Sequence, residues 1–310
     1  MKICFFGTPP YAVPTLEALV EAGHDVVRVI AQPDRPSGRG RKLVSPAVAV
    51  RARELGLDCR QPKGIRSGPF PRNFKALDLD VGVVVAYGRI LTAELLEHPR
   101  RGMINGHGSL LPRWRGSAPI ERGLMAGDSE AGVTTMRMDE GLDTGDMLLR
   151  RGVPVTDDDD AGTLRVKLSQ LTAALIVETL AGLDDITPRP QPAEGICHAP
   201  PLTREDAVID WSQPARDSFN RVRAFSLRKG GVATFRDQPF KLRRVRPVTM
   251  PADAPDGARP GTVLVAGKSL VIACGEGALE VVEGQLPGKK AVGGRDLVNG
   301  ARIQAGEIFS

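Results

Sequence analysis

A doubly wound, Rossmann-like α/β domain followed by a small β-barrel (OB-like) domain is the fold class predicted for this sequence of 310 residues. Three observations carry the prediction. The chain opens as strand, helix, strand. An unbroken valine run near residue 83 reads as a strand buried on both faces. The last third is a series of short alternating segments cut by glycine turns. At this length two domains are the natural division.

The elements follow in order. "KICFFG" is a short apolar run closed by Gly7. Leu16, Ala18, Leu19 and Ala22 fall at helical spacing, Gly23 stops the helix, and "DVVRVIA" is the second strand. The glycine turn is "GTPPYA", so the G-x-G-x-x-G fingerprint of dinucleotide binding is absent. Residues 32–46, "QPDRPSGRGRKLVSP", are rich in proline, glycine and arginine, and they exclude helix and strand. They follow a strand's carboxyl end, the edge where open α/β sheets bind ligands. "AVAVRARELGL" predicts a helix, "DLDVGVVVAYG" the buried strand, "ILTAELLEHP" a helix and "GMINGH" a strand. "SAPIERGLMAG" predicts a helix, "GVTTMRM" and "DMLLRRGVPV" two strands, and residues 156–183 the long helix closing the domain. Asp157 to Asp160 stand where acids favour a helix start.

Residues 184–202 hold five prolines without periodicity and predict a linker, giving a first domain over 1–183, a linker over 184–205 and a second domain over 206–310. In the second domain one amphipathic helix, "ARDSFNRVRAF", precedes five short strands expected to form the barrel. Charge divides along the same line. Residues 206–310 carry 16 Lys and Arg against 11 Asp and Glu, whereas the remaining residues carry 26 of each. A basic domain beside a neutral one suggests a polyanionic partner for one and a separate task for the other. No run is apolar enough for a membrane span and no signal peptide opens the chain, so a cytoplasmic protein is expected. The four cysteines are scattered, which argues against a zinc site or a disulfide framework.

"INGHGSLLPRWRG" raises the question of chemistry. In an extended segment Asn105 and His107 share a face. Of the four histidines only His107 stands at a strand end in polar company. The loop "MDEGLDTGD" adds Asp139, Glu140, Asp143 and Asp146, one of which could reach His107 if the two strands end at the same edge of a parallel sheet. Such a trio suits amine attack on a carbonyl. An amide N–H and an imidazolium stabilise the tetrahedral oxyanion, and a carboxylate beside the imidazole helps to move the amine proton. No serine or cysteine elbow is present, so direct transfer is favoured over a covalent intermediate.

On these residues the chain resembles the folate-dependent formyltransferases, and among them the methionyl-tRNA formyltransferase family. "GTPPYAVPTLEAL", "AQPDRPSGRGRKL", "VVVAYGRIL", "NGHGSLLPRWRGSAPIERGL" and "MDEGLDTGDML" carry the likeness, and "REDAVIDW" and "PGKKA" extend it into the second domain. The resemblance implies that Asn105, His107 and Asp143 are the catalytic trio and that Ser109, Leu110, Leu111 and Pro112 form a folate-contacting turn. It implies that residues 32–43 enter a tRNA acceptor stem, with Arg39 at the key arginine position beside Arg41 and Lys42. The donor substrate would be 10-formyltetrahydrofolate and the acceptor initiator methionyl-tRNA, with no metal, acting as a monomer. Arg221, Arg223, Arg243, Arg244, Arg246, Lys289 and Lys290 are the candidate tRNA contacts of the basic domain. Gly106 departs from the family, whose members usually carry an apolar residue there, and loosens the backbone between the two catalytic side chains. The alternatives are the same chemistry on a ribonucleotide or amino sugar, and a non-catalytic RNA-binding protein on an old enzyme scaffold.

Overall fold

A computed structural model describes the chain except for Arg39 and Asp256, and for Ser37 the backbone alone. It divides into two compact units. The first comprises Met1–Pro119, Glu130–Pro154 and Arg165–Pro200; the second comprises Ile120–Ser129, Val155–Leu164 and Pro201–Ser310.

In chain order the elements of the amino-terminal part are β1 (Lys2–Gly7), α1 (Val13–Glu21), β2 (Asp25–Ile30), β3 (Arg35–Ser37), β4 (Lys42–Val44), α2 (Ala47–Glu54) and β5 (Cys59–Arg60). There follow α3 (Pro69–Lys75), β6 (Val81–Val85), α4 (Ala93–Leu96), β7 (Met103–His107), β8 (Arg115–Gly116), α5 (Pro119–Met125), β9 (Glu130–Arg137), β10 (Met147–Pro154), α6 (Ala161–Ala181) and β11 (His198–Ala199). A seven-stranded sheet runs in the order β10-β9-β7-β6-β1-β2-β5. Strands β1, β2, β5, β6 and β7 are parallel, and β9 and β10 extend the sheet antiparallel.

Alternation along β1 shows why the sheet is covered on both sides. Ile3 and Phe5 enter one cluster with Leu16, Leu19, Val48, Ile176 and Leu180, whereas Cys4 and Phe6 enter the other with Phe74, Leu95 and Leu96. Each face therefore buries its own helices, and both residue sets of β6 are apolar. At the start of α6 Asp160 does what its position predicts, its Oδ1 accepting from the backbone N–H of Gly162 and Thr163 at 2.7 and 2.9 Å, whereas Asp157 pairs with Arg216. The helix expected over 90–99 is confined to one turn, Ala93–Leu96.

Two expectations are corrected. Residues 32–46 are not devoid of strand, because β3 and β4 pair antiparallel from Arg35↔Val44 to Ser37↔Lys42. A two-stranded ribbon has no second neighbour to serve, so the missing N–H of Pro36 costs it little. Residues 184–200 are also more than a tether. Arg189 exchanges backbone hydrogen bonds with Met147 at 2.8 and 2.9 Å, and β11 pairs parallel with β8.

The second unit contains α7 (Ala215–Ala224), β12 (Gly231–Phe235), β13 (Gln238–Val248), β14 (Val263–Ala266), β15 (Leu270–Ala273), β16 (Ala278–Gln285), β17 (Val292–Gly293) and α8 (Gly294–Ala301). The sheet order is β12-β13-β16-β15-β14, with β17 on β16. The chain end then closes it. Ser310 exchanges backbone hydrogen bonds with Thr234, and Phe309 donates to Gly261 at 2.8 Å, so the tail bridges the two edge strands. Phe309 stacks on Phe235 at 4.4 Å inside this core. A closed barrel leaves no free edge.

Candidate active site

β7 carries Asn105 and His107 to one face and Gly106 to the other. Both polar side chains are nearly enclosed, at 9% and 7% exposure. His107 Nε2 lies 2.9 Å from the carbonyl oxygen of Trp114. A carbonyl only accepts, so Nε2 bears the hydrogen, and Nδ1 is the nitrogen left to exchange a proton. Nδ1 faces Asp143 Oδ1 at 3.6 Å, and Asn105 Nδ2 lies 3.4 Å from the same oxygen. The other carboxylate oxygen accepts from the backbone N–H of Gly116 at 2.8 Å.

Asp143 is held from behind as well. Its φ of 55° is left-handed, which aspartate tolerates better than most residues. Gln191 Nε2 donates to the carbonyls of Asp143 and Gly145 at 2.8 and 2.9 Å. Arg115 in turn holds Gln191 Oε1 through Nε and Nη2 at 3.0 and 2.8 Å. Gly116, Arg115, Gln191 and the Trp114 carbonyl are positioning groups that the sequence reading did not single out. The only local signal was the "RWRG" run directly after the S-L-L-P turn.

The route by which Asp143 arrives differs from the expectation. β9 runs antiparallel to β7, pairing Ile104 with Arg137 and His107 with Thr134, so β9 ends beside the start of β7. The acidic loop then folds back along β7 to bring Asp143 to His107. Asp139 shapes that loop, accepting from Gly141 N and Thr144 Oγ1 at 3.0 and 2.7 Å. Glu140 and Asp146 are exposed.

The S-L-L-P turn is fixed largely by its own atoms. Ser109 Oγ donates to the Arg113 carbonyl at 2.7 Å, and Thr134 Oγ1 donates to the Ser109 carbonyl and accepts from Leu111 N. Leu111 and Pro112 are buried, Leu110 is half-buried, and the Leu111–Pro112 bond is cis.

Gly106 proves to be a packing device rather than a loosened joint, and its φ is not left-handed. A Cβ there would lie 2.6 Å from Thr172 Cγ2 of α6. Thr172 cannot turn away freely, because Tyr11's hydroxyl sits 2.8 Å from its Oγ1, and burial pushes that phenol's pKa up to about 12. Gly106→Val is therefore expected to cost roughly 1–3 kcal/mol by overpacking. Adding Thr172→Ala should recover part of it, and a double-mutant cycle of urea melts measures the coupling. Strict additivity would mean that the two positions do not collide.

The basic candidates separate into groups. Arg221 donates to the Asp206 carbonyl and Arg223 to the Thr156 carbonyl, both at 2.8 Å and both within the second unit. Arg246 Nε donates to Glu280 at 3.0 Å. Arg244, Lys289 and Lys290 are exposed, and Arg243 is half-buried. Arg41 and Lys42 are exposed on the β3–β4 hairpin, and Arg39 lies outside the described residues. Among the described residues no helix is long and apolar enough to cross a membrane.

An open α/β sheet bearing an Asn-His-Asp cluster at a strand's carboxyl end, joined to a barrel domain, is the arrangement that the resemblance to the formyl-group transferases implies. The comparisons agree. Residues 1–180 match the formyl transferase family model, and residues 201–302 match the formyl transferase C-terminal domain. The methionyl-tRNA formyltransferase of Geobacter metallireducens is 43% identical, covering 99% of this chain and 97% of its own. That of Methylibium petroleiphilum is 45% identical, covering 96% of each. The chain belongs to the formyl transferase family, in the branch that holds the methionyl-tRNA formyltransferases. In fold it is similar to an N-formyltransferase from Helicobacter canadensis solved with folinic acid and dTDP-3-aminofucose. That likeness has a TM-score of 0.70 at 16% identity and covers 91% of this chain and 98% of the other.

Proposed function

We propose that the protein transfers the formyl group of 10-formyltetrahydrofolate to the α-amine of initiator methionyl-tRNA. It would act in the cytoplasm and supply N-formylmethionyl-tRNA for translation initiation. The observation that carries this reading is the convergence of Asn105, His107 and Asp143, in a chain whose methionyl-tRNA formyltransferase relatives match it end to end.

The amine nitrogen attacks the formyl carbon, forming a C–N bond and a tetrahedral oxyanion. Asn105 Nδ2 donates to that oxygen. The proton lost by the amine passes to the His107–Asp143 pair, whose Nδ1 and Oδ1 lie 3.6 Å apart, the carboxylate balancing the imidazolium that forms. The bond from the formyl carbon to folate N10 then breaks, and N10 takes up a proton. The S-L-L-P turn, residues 109–112, forms one wall for the folate.

The test offers 10-formyltetrahydrofolate with methionyl-tRNA, glycinamide ribonucleotide or an amino sugar nucleotide in separate reactions. Formyl-methionyl-tRNA should accumulate, and formylation of either small amine alone would overturn the reading. On the tRNA side, Lys289 and Lys290 should act through phosphate charge. The Lys289→Ala/Lys290→Ala pair should flatten the salt dependence of tRNA binding by roughly one unit of slope per lysine. Identical slopes would remove both lysines from the interface.

A further inference from the structure

The order in which the chain lays down its parallel strands reverses at β1. From it the order runs to β2 and β5 on one side and to β6 and β7 on the other. The crevice outside the carboxyl ends of β1 and β6 is thus the topological switch point, where open α/β sheets take their ligands. The turn after β6 is unusual there. Ala86 has a φ of 46° and Gly88 one of 78°. A left-handed alanine is costly and persists only where its surroundings over-determine it.

Those surroundings converge from three directions. Thr8 Oγ1, after β1, donates to the Tyr87 carbonyl at 3.0 Å. Gln32, after β2, is 8% exposed and donates through Nε2 to the carbonyls of Tyr87 and Gly88 at 2.8 and 3.2 Å. Arg89 donates to the carbonyls of Pro62 and Lys63 after β5, at 3.2 and 3.0 Å. Beside the turn opens a cleft of about 360 Å³ lined by Gly64, Ile65, Arg66, Ser67, Arg89 and Ile90.

Gln32 has a second partner, the Arg35 guanidinium at the base of the β3–β4 hairpin, which donates to Oε1. The amide's orientation is dictated by chemistry, because two carbonyls require the NH₂ and a guanidinium requires the oxygen. One side chain therefore joins the hairpin to the strained turn. The hairpin's two feet are tied together as well. Ser45 Oγ donates to Asp34 at 2.9 Å, and Gln61 Nε2 donates to Asp34 and to the Gln32 carbonyl at 2.7 and 2.9 Å.

We propose that Gln32 is a positioning residue for the 86–88 turn and that Arg35 makes its position depend on the hairpin, so that folate at the switch point and tRNA at the hairpin bind cooperatively. This rests on the reading that the two substrates are a formyl-folate and a tRNA. A ligand that fixes the hairpin fixes Arg35, hence Gln32, hence the turn, and linkage makes the effect reciprocal.

The test measures binding of 5-formyltetrahydrofolate to the full chain by calorimetry, with and without saturating initiator tRNA. In the wild type tRNA should tighten folate binding by about fivefold, at the lower end of ordinary coupling. Arg35→Ala, on an exposed hairpin residue, should keep folate affinity within about twofold in the absence of tRNA and lose the enhancement. Gln32→Glu keeps an acceptor for Arg35 but loses both donors to the turn, and should weaken folate alone by about tenfold, the loss of roughly one charge-free buried hydrogen-bond pair. An Arg35→Ala protein with the wild-type enhancement, or a folded Gln32→Glu protein with wild-type folate affinity, would overturn the proposal. Wild-type protein that binds both ligands independently would overturn it alone, whereas failure to bind either would overturn the functional reading with it.

Discussion

Asp143→Ala is expected to lower turnover by a factor on the order of 10² or more while tRNA binding stays near normal. Three structural facts set this expectation. The carboxylate is the shared partner of Asn105 and His107. Its second oxygen is held by the Gly116 N–H, so it enters the reaction already oriented. Its backbone is anchored through Gln191 to Arg115, so the loop should survive the truncation and the defect should appear in kcat. Asp143→Asn separates charge from shape, because an amide can still accept from Gly116 but cannot balance an imidazolium. It should remain nearly as poor as the alanine variant. Wild-type turnover in Asp143→Ala, together with a loss in Asp146→Ala, would move the role to the exposed neighbour.

Gly116→Ala should impair the enzyme through a different route. Gly116 has a φ of 125°, and a Cβ there would lie 2.6 Å from the Ala199 carbonyl oxygen in the β8–β11 pairing. Backbone cannot swing aside as a side chain can, so β8 must move. The local strain is expected to cost about 1–3 kcal/mol. The same movement withdraws the N–H from Asp143 Oδ2, and a misplacement near 1 Å can cost on the order of 10²-fold in rate. Thermal melts and steady-state kinetics on one preparation check both. Lowered stability with unchanged kcat would show that this N–H does not hold the catalytic carboxylate.

Much of this architecture was legible because the physics that signals it is local. The valine run of β6 had to be covered on both faces, and β12 alternates buried and more open positions with period two. Asp160 caps α6 with the two donors that follow it in sequence. Asn105 and His107 share a face because a strand alternates.

What escaped was long-range or without period. Parallel and antiparallel neighbours leave the same alternation, so the direction of β9, and with it the path of the acidic loop, could not be read from residues 130–146. Gln191 lies 48 residues from Asp143, in a proline-rich stretch whose composition indicates only that it is neither helix nor strand. The β3–β4 hairpin has no alternation and contains a proline, so nothing in it announces pairing. Basic residues show their charge in sequence but not their occupation. Arg221 and Arg223 each direct one guanidinium donor to a carbonyl of their own unit, a pairing that no local pattern announces.

On the proposed reading, the cluster at the end of β7 performs the chemical step of formyl transfer to methionyl-tRNA. The test is single-turnover formylation in the wild type, Asn105→Ala and His107→Ala, with methionyl-tRNA limiting and fully bound by excess enzyme and with saturating 10-formyltetrahydrofolate. The predicted result is a first-order rate lower by on the order of 10² or more in each variant, with tRNA and folate affinities close to wild type. A wild-type single-turnover rate in either variant, or a loss explained wholly by weakened binding, would take the chemical step away from this cluster.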